Sequence, residues 1–88
     1  MTPYFALVRF NAPSGPYYPA IVQLTARDFR DAGESIFAFI AGVEIGHPCR
    51  ISVEEISVNK PRGRAVSLSL GGPIQDPGLE TFLQEYRK

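Results

Sequence analysis

His47 and Cys49 are the only histidine and the only cysteine of the chain, and Pro48 alone separates them. A thiol beside an imidazole can become an activated thiolate, and the same two side chains can ligate a metal. A zinc centre takes about four ligands, and the other candidates here are scattered acids without matching spacing. The plainer reading is a thiol entering a strand, with His47 in the loop before it. The chain has no glycine-rich phosphate loop, no HExxH pattern and no GxSxG elbow. An enzyme is therefore not expected, and neither a cofactor nor a metal is assigned.

A second place for chemistry is Lys60-Pro61-Arg62-Gly63-Arg64, which puts Lys60, Arg62 and Arg64 on one turn with no acid among them. Arginine forks suit carboxylates and phosphates alike, although charge also serves simply to keep an exposed turn in water. A third is the aromatic cluster of Tyr4, Phe5, Phe10, Tyr17 and Tyr18. Rings on an open sheet face can stack bases, but no RNP-like string accompanies them, so most should be core, with Tyr17 or Tyr18 at its rim.

The elements that position these groups follow from patterning. Tyr4–Phe10 is aromatic and β-branched, apolar on both faces until Arg9, as a central strand would be. Asn11–Pro16 is loop. Tyr17–Leu24 is a second strand whose Pro19 puts its beginning at an edge or outside the ladder, and the two should form an antiparallel hairpin. Thr25–Gly42 follows as the one long helix, with Thr25 as its cap, Gly42 as its stop and Phe29, Ala32, Ile36, Phe39 and Ile40 on one face. Gly33 on the apolar side predicts a close approach to the sheet.

In the third strand, Arg50–Val58, Ile51 and Val53 have one parity and Ile56 and Val58 the other. One extra residue at Glu54-Glu55 restores the face, which predicts a β-bulge. Asn59–Arg64 reads as a hairpin tip leading into the fourth strand, Ala65–Leu70, with Val66, Leu68 and Leu70 inward and serines outward. Asp76-Pro77 then starts a short helix carrying Leu79, Phe82, Leu83 and Tyr86. The expected fold is α+β: a four-stranded antiparallel sheet in β-β-α-β-β-α order, with the long helix on one face and a short C-terminal helix. The long helix covers only one face. Phe5, Leu7, Pro19 and Ile21 are left on the other, and such a partly apolar face marks a partner or dimer surface unless the second helix covers it.

Composition bounds what this domain can do. Eighty-eight residues, 44% hydrophobic and 20% charged, make one ordinary globular domain with a single core. Nine basic and nine acidic side chains cancel, so no global field draws it to nucleic acid or anionic lipid. A lone cysteine fits a reducing compartment. The N-terminus lacks the charged and apolar regions of a signal peptide, and no apolar run approaches the roughly 18 residues of a membrane span. A cytoplasmic location is expected.

The plan, and within it the strand-into-helix segment Ala20-Ile21-Val22-Gln23-Leu24-Thr25-Ala26-Arg27-Asp28-Phe29 followed by a hairpin with a basic turn, resembles small phage-encoded anti-CRISPR proteins. The resemblance is architectural and carries no diagnostic motif. It implies a non-enzymatic inhibitor in the host-cell cytoplasm that binds a Cas protein or complex and blocks it. The neutral charge and basic turn depart from the acidic members and favour steric blocking over DNA mimicry. The expected function is thus a protein-binding module using Lys60, Arg62, Arg64, Phe5, Leu7, Ile21 and Tyr17. The alternatives are a nucleic-acid-binding accessory domain using the basic turn with Tyr17-Tyr18, and a homodimeric structural protein.

Overall fold

A computed structural model describes residues 1–13, 15–47, 49–63, 66–70 and 76–85. It is a small α+β domain: β1 (Thr2–Asn11), β2 (Tyr17–Ala26), α1 (Phe29–Gly46), β3 (Arg50–Ser57), β4 (Val66–Ser69) and α2 (Pro77–Glu85). The four strands form one mixed sheet in the order β3-β1-β2-β4. β1 and β2 form the expected antiparallel hairpin, with Leu7 opposite Ile21 and Arg9 opposite Pro19. β3 adds antiparallel to the other side of β1. β1 is therefore interior, which is why both of its faces are apolar.

The expected second hairpin does not form. β4 pairs with β2, and it does so in parallel, from Ala20 opposite Val66 to Gln23 opposite Ser69. The sheet is thus mixed, not antiparallel throughout, and β3 and β4 lie at opposite edges. The chain therefore crosses from one edge to the other within the eight residues between Ser57 and Val66, of which 58–63 are described. They must span three interstrand spacings of about 4.8 Å and about 10 Å along the strands, whereas eight extended residues reach roughly 28 Å. The crossing is sterically easy. Pairing begins at Ala20, just past Pro19, so the proline's missing N–H falls outside the β2–β4 ladder.

The bulge is where alternation predicts it. Leu7 pairs with Glu55 and Val8 with Val53, leaving Glu54 as the extra residue of β3. It returns Ile56 to the face of Ile51 and Val53, opposite Ala6, Val8 and Phe10.

α1 starts later and ends later than its composition implies. Thr25 lies inside β2, and the cap is Asp28, whose Oδ1 accepts from the Asp31 amide at 2.8 Å. Asp31 reaches back to accept from the Arg27 amide at 3.0 Å, so two otherwise open donors are satisfied reciprocally. Gly42 is passed over as a stop; the helix runs to Gly46, capped by the His47 amide on the Val43 carbonyl. A Cβ at Gly33 would meet nothing within 4 Å, so this glycine marks no close approach. α2 starts as predicted, with Asp76 Oδ1 accepting from the Leu79 amide at 2.7 Å and Pro77 in its first turn. Tyr86 and Arg64 lie outside the described residues.

One core holds these elements. Tyr4, Ala6, Val8 and Phe10 of β1 and Ala20, Val22 and Leu24 of β2 meet Ala32, Ile36 and Ile40 of α1 and Leu79 and Leu83 of α2. Both helices therefore contribute to the same face of the sheet. Fully burying side chains such as Phe10, Ile36 and Leu79 stabilises by roughly 1.5–3 kcal/mol each. Tyr18 ties α2 down: its hydroxyl donates to Asp76 Oδ1 at 2.9 Å, and its ring lies 5.7 Å from that of Phe82.

Candidate partner-binding recess

Since both helices use one face, the other is met, among the described residues, by the β3–β4 crossover at Arg62 and Gly63. Ile21 is 3% exposed yet belongs to that second face and stands apart from the main core. Expected as a contact residue, it is instead buried and unavailable to a partner. Phe5 and Leu7 are half-buried beside it, while Ser67 and Ser69 at the β4 edge face water.

Where the crossover passes the end of the β1–β2 hairpin, a recess of about 220 Å³ remains, bordered by Leu7, Arg9, Tyr17, Pro19, Glu54, Arg62 and Gly63. Leu7 and Arg9 alternate on β1 with core residues, so the strand period puts both on this face. Tyr17 and Pro19 do the same on β2. The bulge supplies Glu54, whose Oε1 accepts from Arg9 Nη2 at 3.0 Å. Arg9 also lies 5.4 Å from the centroid of the Tyr17 ring. Gly63 has a φ of +122°, a left-handed conformation that turns the crossover here and that other residues rarely adopt.

The site is electrostatically asymmetric. Arg9 is engaged by Glu54 and Tyr17, and its Nε is buried with no hydrogen-bond partner among the described residues. Arg62 and Lys60 are exposed and have no ion-pair partner among the described residues. Tyr17 is 58% exposed, an aromatic wall in the same recess as the exposed Arg62. The volume falls below the roughly 300–1,000 Å³ of small-molecule clefts. It suits a side chain presented by a larger partner, acidic toward Arg62 and apolar toward Leu7, Pro19 and Tyr17.

Of the residues expected from sequence, the recess brings together Leu7, Tyr17 and Arg62. Phe5 lies farther along the same face, and Lys60 lies on the crossover before Arg62. The basic residues reach the aromatic ones because the connection crosses the face; on a hairpin tip they would have stood apart. Arg9 and Glu54 were missed, although Arg9 shares the parity of Phe5 and Leu7, and the broken alternation of β3 points at Glu54.

A larger recess of about 560 Å³ at the C-terminal end of α1 includes Asn11, Glu44, His47, Cys49 and Arg50. Its groups are mostly engaged. Glu44 Oε2 accepts from the Ile51 amide at 2.9 Å, and the Asn11 amide donates to Ser52 Oγ at 2.9 Å. Cys49 is buried, and desolvation together with the Glu44 charge pushes its thiol pKa up, opposite to what an activated thiolate needs. His47 Nδ1 is buried, with no partner among the described residues.

Among the described residues, no group of three His, Cys, Asp or Glu side chains could hold a metal ion. Nor is any helix among them long and apolar enough to cross a membrane. Comparison of the chain with protein-family models, with curated proteins and with solved structures found no match.

Proposed function

We propose that this protein is a non-enzymatic protein-binding module that takes an acidic-and-apolar segment of its partner into the crossover recess. The observation that carries this reading is the meeting of Leu7, Tyr17 and Arg62 in one recess whose only internally paired cation is Arg9. Exposed tyrosines and arginines at the centre of a contact are the residues that most often dominate binding energy. The raised thiol pKa of Cys49 and the engaged groups around it favour binding over nucleophilic catalysis. A stoichiometric inhibitor that blocks its target sterically, with a Cas protein or complex as that target, is the form the reading takes from the architectural resemblance. What remains of that resemblance is the segment 20–29 leading into α1.

Capture from bacterial lysate, with and without nuclease, tests it when the wild type is run beside Arg62→Ala and Tyr17→Ala. The reading expects one protein recovered by the wild type in either condition and depleted by each variant, at a cost of about 1–2 kcal/mol in affinity. Equal recovery by all three proteins removes the recess from the contact. A captured species that vanishes with nuclease transfers the site to nucleic acid.

A further inference from the structure

The outer edge of β3 has no strand paired to it among the described residues. The Ile51 amide donates to Glu44 Oε2 at 2.9 Å, so it points away from β1. Strand alternation then turns the N–H and C=O of Val53 outward as well. The same flank carries unspent apolar surface. Ile51 and Val53 are only half-buried against the core at this edge. α1 overhangs it, since Glu44 reaches Ile51. On a helix of 3.6 residues per turn, Phe37 and Ala41 lie within about 20° and 60° of Glu44, and Phe37 is 64% exposed.

We infer that this flank binds a second copy of the chain, with β3 pairing antiparallel to its twin about a two-fold axis at Ser52. Only residues whose amides point outward can exchange hydrogen bonds, so odd-numbered positions must face odd-numbered ones. Centring on Ser52 sets Ile51 against Val53 of the other copy, twice. The same register sets Arg50 of each copy opposite Glu54 of the other, on the face away from the helices. Sliding the centre to Ile51 or Val53 loses both of these oppositely charged pairs. The two helices then lie side by side, and Phe37 and Ala41 of each cover the other's. The formal net charge of zero adds no long-range repulsion. Glu44 gives up the Ile51 amide to the incoming Val53 carbonyl, so it competes with pairing and sets its strength. This surface meets the crossover recess at Glu54, which also pairs with Arg9; Phe37→Glu and Arg50→Glu, both outside the recess, distinguish failure here from failure of the recess.

Sedimentation equilibrium decides the matter. The wild type should show a concentration-dependent approach to twice 9.7 kDa. Phe37→Glu, at an exposed position, should shift the midpoint roughly tenfold toward monomer. Arg50→Glu and Glu54→Arg should each do the same alone, because each sets like charges opposite in both pairs. Mixed in equal amounts they should associate again, since every pair is then opposite in sign. Glu44→Ala should tighten the dimer. Circular dichroism checks that each variant is folded. A wild type that stays at 9.7 kDa at every concentration overturns the inference. So does a dimer indifferent to Phe37→Glu, or a mixture of the two charge variants that fails to associate.

Discussion

Asp28 and Asp31 carry the start of α1 between them, and each has a measurable signature. Removing the cap with Asp28→Ala should cost about 1 kcal/mol in denaturant unfolding. Asp31 is held below the usual carboxylate range, first by the Arg27 amide it accepts from and then by the Arg27 guanidinium. A folded-state pKa below the unfolded value of about 3.9 contributes stability that is complete above that value and drains away as pH falls through the folded-state one. Stability followed against pH should therefore show an acid loss that Asp31→Asn lacks. Cys49 belongs to this scale too. Buried and with its thiol pushed up, it should alkylate at neutral pH far more slowly in the folded protein than after unfolding, as mass spectrometry would show; equal rates would contradict its placement. The residue types at these positions are plain in the sequence, but their roles are not. Thr25 and Asp28 are both good caps, and only the length of β2, which keeps pairing to Ala26 opposite Thr2, decides for Asp28.

At the scale of elements, the two helices contain glycines with opposite prospects. A Cβ at Gly42 meets nothing within 4 Å, so Gly42→Ala should stabilise by roughly 0.8–1 kcal/mol from helix propensity alone. A Cβ at Gly78 would come within 2.8 Å of the Tyr18 hydroxyl and 3.2 Å of Asp76 Oδ1. Gly78→Ala should therefore lose that gain by forcing the hydroxyl off its acceptor; a pair of thermal melts compares the two. The Tyr18 hydroxyl is itself pushed above its ordinary pKa by desolvation and by Asp76. Its contribution is thus full below about pH 10 and lost as pH rises beyond it. Element types and order were readable because each strand and helix keeps its own period over several residues. The bulge was readable for the same reason, since a parity change within one strand has few other causes. Helix ends were not: Gly42 stops a helix only when tertiary structure lets it, and here Val43 still packs against the core and Glu44 holds the Ile51 amide.

At the scale of the molecule, pairing of strands is what the sequence leaves undetermined. Consecutive strands pair about two-thirds of the time, and Asn59–Arg64, with a proline and a glycine, resembles a turn. Yet β3 completes one edge beside β1, and β4 completes the other, where Leu68 joins the core that also holds Leu79 and Leu83. No local pattern in either strand distinguishes those edges. The candidate site inherits this: Leu7 and Tyr17 are legible from parity, but their meeting with Arg62 exists only because the chain crosses the second face. The central claim is that this crossed face is where a partner docks. Amide chemical-shift mapping of the labelled protein against its captured partner tests that most directly. The account predicts shifts concentrated at Leu7–Arg9, Tyr17–Pro19 flanks and Arg62–Gly63, with the surroundings of Asn11, His47 and Cys49 unmoved. Shifts confined to that second recess, or to the exposed face of α1 at Phe37 and Ile45, would contradict it.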